Sequence, residues 1–410
     1  MSTAYRAGST NQPGPATTQP PSIRPRIASL DIIRGAVMML MAIDHVRVYS
    51  GLPPGGPTPG IFFTRWVTHF CAPAFVFLAG TGAFLHGQKL GNSAALARYL
   101  FIRGAWLVLL ELTILRVAWT FNLDYAHYLL AGVIWAIGWC MILLAGLVRL
   151  PMSVITTVGL LTVAGHNLID QFTPTLVPAL RGSHLAWLWQ VLYFGGPVSL
   201  GENGPTLAVL YSIVPWIGVM ALGYAFGTVM RLGPDRRRRL CWVVGLGATA
   251  GFLLLRAFNL YGNPSPWGGT PPKLPVLLSF LNTNKYPASL QFLLMTLGPT
   301  ITLIPLLEHA RGAVARALSV FGRVPFFYYV LHIPLIHAAA VIVSLLRFGT
   351  VTPWLLTNHP MMNPPPPEGY LWGLSLLYLV WGVVVILLYF PCRWFAEVKS
   401  RRHDAWLSFL

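Results

Sequence analysis

The sequence predicts an all-α polytopic integral membrane protein, with about ten transmembrane helices and both termini in the cytoplasm. Three observations carry that prediction. The chain of 410 residues is 55% hydrophobic and only 10% charged, and its mean hydropathy of +0.63 lies outside the range of soluble globular chains. Apolar runs recur along it, each near the roughly 20 residues that a hydrocarbon core of about 30 Å requires. Basic residues also divide unequally between the two sides once these runs alternate across a bilayer.

Taken in order, residues 1–26 are rich in Ser, Thr, Gln, Pro and Gly and read as a disordered cytoplasmic tail, without the apolar core of a signal peptide. Residues 27–410 read as a single transmembrane domain. Its apolar segments are 30–49, 66–86, 99–121, 127–148, 151–169, 206–230, 240–258, 289–307, 325–346 and 371–392. The fifth is interrupted near its end by Gly165, His166 and Asn167, and the run at 185–194 is too short to span and fits the interface. With the N-terminus inside, the cytoplasmic segments hold 18 basic residues, among them Arg236 to Arg239, Arg311, Arg323 and Lys399. The outer segments hold seven, including Arg65, Arg116, Arg256 and Lys285. The net charge of +17 therefore marks topology, and a nucleic-acid partner is excluded. The four cysteines fall in apolar segments without CxxC spacing and read as small core residues. The long connections at 170–205, 256–288 and 347–370 all fall on the outer face, where a substrate is expected.

The first segment, "SLDIIRGAVMMLMAIDHVRVY", is apolar yet carries Asp31 and Arg34 at one end and Asp44, His45 and Arg47 at the other. Arg34 and His45 are eleven residues apart, which puts them within about 20° of one helix face and about 16 Å apart along the axis. The second segment adds Arg65 and His69 at similar depth, and the third adds Glu111, a carboxylate that is costly in a membrane without a partner. Histidines beside carboxylates suit proton transfer, because the imidazole can take and return a proton while the carboxylate fixes its tautomer. The plainer alternative is that end charges snorkel to headgroups and that Glu111 ties its helix to Arg103 or Arg34. Before the eighth segment, Asn282, Asn284, Lys285 and Tyr286 suit recognition of a hydroxylated ligand, or simply cap a helix. In the ninth, Arg323 marks the cytoplasmic end, while His332 and His337 lie about 140° apart, so one can line a channel but the two form no metal site.

These residues carry a resemblance. "SLDIIRGAVMMLMAIDHVR" followed by "RWVTHFCAPAFVFLAGTGAFL" is similar to the catalytic-domain family of the heparan-alpha-glucosaminide N-acetyltransferases, within the transmembrane acyltransferase superfamily. "NTNKYPASLQFLLMTLGP", "FGRVPFFYYVLHIPLIH" and "CRWFAEVKSRRHDAWLSFL" fit its bacterial branch, so the resemblance covers nearly all of 27–410. It implies a multi-pass protein of the bacterial inner membrane that moves an acetyl group from cytoplasmic acetyl-CoA to an amine or hydroxyl of an extracytoplasmic glycan or lipid-linked sugar. No metal is implied, and there is room for a homodimer. Arg34 would meet the CoA phosphates, with Asp31 and Arg323 nearby, and the pantetheine arm would reach the outer histidines. His69 or His45 would take the acceptor's proton or carry the acyl group transiently, oriented by Asp44 or Glu111. Arg65, Asn282, Asn284, Lys285 and His332 would hold the acceptor or the thioester oxygen. His69 is the nearer match to the family's outer-loop histidine, whereas His45 takes the place of an asparagine, so the larger loss is expected at His69. The family's lumenal domain is expected to have no counterpart here, so an envelope glycan replaces heparan as the expected acceptor. The rival reading is a proton-coupled transporter of a small solute using the same buried charges; against it, no inverted repeat is visible.

Overall fold

The computed structural model describes residues 27–402 except 56–57, 182, 269–273 and 363, together with 404 and 407. The expected tail at 1–26 lies outside the described residues. In lipid a backbone must satisfy its own hydrogen bonds, so the apolar runs fold as helices. The order begins with α1 (Ala28–Ser50) and α2 (Pro59–Trp66), which runs through a 3₁₀ turn, Val67–Phe70, into α3 (Cys71–Leu90). Next come α4 (Ser93–Leu110), a π turn at Glu111–Leu115 and α5 (Arg116–Thr120), then α6 (Val133–Leu147), α7 (Met152–Gly165), α8 (Thr173–Arg181) and α9 (Ala186–Trp189). The second half holds α10 (Ile213–Met230), α11 (Pro234–Ala257), α12 (Val276–Leu281) and α13 (Leu290–Leu306). It continues with α14 (Ala313–Arg323), α15 (Pro325–Phe348), α16 (His359–Met362) and α17 (Leu374–Arg401). Local signals set the ends. The Asn92 side chain accepts from the Ala94 and Ala95 amides to start α4, and Ser289 accepts from Phe292 N to start α13. Gly51, at φ 75°, closes α1 in the left-handed conformation that favours glycine.

Among the described residues, six continuous helical stretches are long and apolar enough to cross a bilayer, and α6 and α13 are apolar but shorter. The two remaining predicted segments are occupied by α1 and α4, which carry charges within their runs. All ten predicted segments are therefore largely helical, in an integral membrane protein. Burial separates centre from rim: the apolar window of Pro59–Leu90 is 72% buried, that of α11 only 22%. The candidate site lies on the central side.

The fold is mostly helical, as expected of an α-helical membrane protein, but two predicted segments begin with strand rather than helix. Tyr128–Ala131 (β1) pairs in parallel with Thr206–Val209 (β3), which pairs antiparallel with Gly196–Ser199 (β2). Short apolar runs have no periodicity that separates a strand from the start of a helix, and hydropathy merged both into their neighbours. Amphipathic α14 was also unforeseen, and α17 extends well past the predicted 392.

Helices in lipid gain little from burying apolar surface against each other, so close backbone approach does much of the packing. Glycines provide it. A Cβ on Gly80 of α3 would come within 2.1 Å of Met220 O, and one on Gly223 of α10 within 2.0 Å of Phe77 O. The same reciprocity joins α1 to α14, where a Cβ on Gly35 would meet Leu318 O at 1.9 Å and one on Gly322 would meet Asp31 O at 1.8 Å. Two buried guanidiniums pin the long connections. Arg116 donates to Asn122 O, Asp124 O and Asn358 Oδ1, and Arg256 donates to Ser279 O, Phe280 O and Asn282 O. Read from sequence as topology charges, both are loop clamps.

Candidate active site

The two charged ends of α1 face different surroundings. At the Arg34 end a cavity of about 770 Å³ opens between α1, α3, α4, α6, α15 and α17, within the size range of small-molecule sites. Arg34, Lys89, Arg103, Arg323 and Lys399 line it, and Met38, Leu78, Leu107, Ile137 and Met141 supply apolar wall. On α1, α3 and α17 the basic residues sit at the helix ends that the charge pattern assigns to the cytoplasm, so the cavity has a cationic mouth. Farther along α6 and α15 its wall includes Val133 and Tyr329. Asp31 is buried and not on the wall; its carboxylate accepts from Arg34 Nη1 at 3.4 Å, and the same Nη1 reaches Gly322 O at 3.3 Å. The expected contact of Asp31 with a ligand thus becomes support for Arg34.

At the other end of α1, His45 Nδ1 lies 2.6 Å from Nε2 of His332 on α15. Their rings stack with centroids 4.8 Å apart, and the Trp119 ring stands edge-on to His45 at 4.7 Å. Next to it, Asp44 accepts from Arg47 Nε at 2.7 Å, and Arg47 also donates to Leu52 O at 2.9 Å. Charges on Arg65 and Lys285 act on both Asp44 and His69, which gathers residues from α1, α2 and the turn before α13. Lys285 is 7% exposed, and its ammonium faces the rings of Tyr286 and Tyr211 at 5.2 and 6.0 Å. Among the described residues neither Lys285 nor Arg65 makes a salt bridge. With Asp44 already bonded to Arg47, this group carries surplus positive charge.

His69 is buried edge-on to Phe292, and among the described residues both its ring nitrogens lack a hydrogen-bond partner. Glu111 is fully buried beside the Gly132 backbone, and among the described residues its carboxylate meets no cation, so neither expected tie to Arg34 nor to Arg103 forms. It opens the π turn, a distortion frequent at functional sites. Gly132 leaves room for that carboxylate, since a Cβ there would stand 2.2 Å from Glu111 Oε1 and the carboxylate would have to shift. Asn282 and Asn284 are not brought to the charged group. The Asn282 side chain is exposed while its carbonyl accepts from Arg256, and the Asn284 amide donates to Tyr286 O and Pro287 O. They close the loop that presents Lys285. His337 faces elsewhere, bonding Leu355 O at 2.9 Å and stacking on Phe121, as the 140° offset from His332 requires.

In the connection between α15 and α17, His359 stacks on Trp354, and burial, followed by the charge of His337, pushes its imidazole down to about 3. It is neutral at physiological pH. Sequence reading missed Tyr329, Lys89, Arg103 and Lys399 as cavity residues. The only local hint was that Tyr329 lies one helical turn from His332.

A family model described as heparan-alpha-glucosaminide N-acetyltransferase, catalytic, matches residues 26–254, more than half of the chain. The chain belongs to this family. No curated protein matches it. The acetyltransferase match takes in Arg34, His45, His69 and Glu111, and stops short of Lys285, Arg323 and His332.

Proposed function

We propose that this protein is a transmembrane acetyltransferase that takes an acetyl group from acetyl-CoA bound at the cytoplasmic face. It passes the group to an amine or hydroxyl of an extracytoplasmic glycan or lipid-linked sugar in the bacterial envelope. The observation that carries the reading is the cavity: cationic at its mouth, apolar along its length, and walled by Tyr329, whose backbone carbonyl bonds the histidine that touches His45. A nucleotide phosphate suits Arg34, Arg323 and Lys399, and a flexible thioester arm suits the apolar wall. His45 takes a proton from the acceptor as its nitrogen or oxygen attacks the thioester carbonyl. The C–S bond then breaks, and the CoA thiolate leaves and recovers the proton. Lys285 and Arg65 are the cations available to the oxyanion or to an anionic group on the acceptor.

Radiolabelled acetyl-CoA tests the reading directly. Purified protein should bind it and transfer label to envelope glycan; a solute transporter would bind no CoA. Arg34→Ala should weaken acetyl-CoA binding by roughly 1.5–3 kcal/mol, the worth of a hydrogen bond to a charged group, and Arg34→Lys should restore only part of it. Unchanged affinity in a poorly folded Arg34→Ala protein would leave Arg34 a partner of Asp31 and the α14 backbone only.

The same reading sets ten passes with both termini inside. A cysteine at Gly55 should react with an impermeant thiol reagent in intact cells, and one at Arg237 should be protected. The reverse labelling would invert the protein and place the cationic mouth away from cytoplasmic CoA.

A further inference from the structure

The hydrogen bonds around His332 leave it one neutral tautomer. Its Nδ1 faces the backbone carbonyl of Tyr329 at 2.7 Å and that of Tyr328 at 3.2 Å. Carbonyl oxygens only accept, so the proton sits on Nδ1 and Nε2 keeps its lone pair. That lone pair is 2.6 Å from His45 Nδ1, so His45 must donate there and carries its own proton on Nδ1. The opposite assignment would set the His332 Nδ1 lone pair against a carbonyl at 2.7 Å. His45 Nε2 is thereby left as an unprotonated acceptor on a residue that is only partly buried. His332 itself is fully buried, between the Tyr328, Tyr329 and His45 rings, and out of reach of any substrate.

We infer that His332, on a helix beyond the stretch the family model matches, is a positioning residue that fixes His45 as the Nδ1–H tautomer and so presents Nε2 to the acceptor. The inference rests on the reading of His45 as the base. It gives His332 the task usually performed by a carboxylate behind a catalytic imidazole. As His45 takes the acceptor's proton, its Nδ1–H stays in place and its bond to the His332 lone pair strengthens, because the donor is now an imidazolium. No proton passes to His332, whose Nδ1 already holds one. When the proton returns to the departing thiolate, the pair is restored. The second half of the chain thus completes a catalytic unit that the matched region contains only in part.

The test is kinetic and spectroscopic. His332→Leu should lower kcat at least tenfold, below the roughly 10⁴-fold ceiling seen when a catalytic histidine is left in the wrong tautomer, while acetyl-CoA affinity is retained. His332→Gln, whose Oε1 can accept from His45 Nδ1, should recover part of that loss. In a His45→Ala background, His332→Leu should cause no further fall in kcat, whereas a packing role would add its own. In ¹⁵N-histidine spectra of the full protein, His45 should show a protonated Nδ1 and a bare Nε2, and His332→Leu should give a mixture of tautomers. If His332→Leu does not fold, the His332→Gln kinetics and the unsubstituted protein's spectrum still decide. A His332→Leu enzyme with full kcat, or a His45 protonated on Nε2, overturns the inference and leaves the base intact. A fully active His45→Ala protein removes the base assignment and the inference together.

Discussion

His45→Ala is expected to lower kcat by about 10²–10⁴-fold, the usual cost of losing a general base, with acetyl-CoA binding unchanged. Two features single out His45. Its ring is held from behind by His332 at 2.6 Å, and it is partly exposed, so one nitrogen is fixed and the other is available. His69 offers neither: it is 5% exposed, and no hydrogen bond orients its ring. His69→Ala should therefore cost less than His45→Ala, which reverses the ranking expected from resemblance alone. Initial rates of acetyl transfer by purified variants, with acetyl-CoA affinity measured alongside, check the order. A dead His69→Ala beside a normal His45→Ala would move the base to the surplus positive group around Lys285 and Arg65.

Gly223→Leu is expected to prevent stable folding. A side chain there would start 2.0 Å from the Phe77 carbonyl, and the obstacle is backbone, which cannot rotate away as a side chain can. Overpacking commonly costs about 1–3 kcal/mol even where side chains can adjust, and this contact should exceed that range. Parting α3 from α10 would also disturb the α3 wall of the cavity. Gly247→Leu is the control, at an exposed position where a Cβ would meet nothing within 4 Å. Thermal unfolding in detergent should show a large fall for Gly223→Leu and little change for Gly247→Leu. Equal midpoints would mean that α3 and α10 can separate without loss.

Much of the architecture was legible in one dimension because a bilayer imposes its rule locally: about 20 apolar residues in a row must become helix. The departures came where that rule lapses. Tyr128–Ala131 and Thr206–Val209 pair across a long stretch of chain, and nothing in either run reveals its partner. Asn282 and Asn284 looked like recognition amides because composition cannot show which way a loop amide turns. The fold commits the Asn284 amide to the loop's own carbonyls, whereas Asn282 gives Arg256 its backbone carbonyl and keeps its side chain exposed.

The candidate site divides in the same way. Read alone, the sequence establishes a membrane chain, places Arg34 and His45 on one face of the first helix, and shows opening motifs that resemble an acetyltransferase family. Each depends on spacing within a single segment, where helical geometry is fixed. Three-dimensional packing was needed to show that Asp31 supports Arg34, that Lys89, Arg103 and Lys399 join Arg34 and Arg323 around one cavity, and that His332 meets His45 from 287 positions away. Those meetings depend on which helices pack together. That choice is made by close backbone approach at glycines such as Gly35 and Gly322, whose partners no local pattern names.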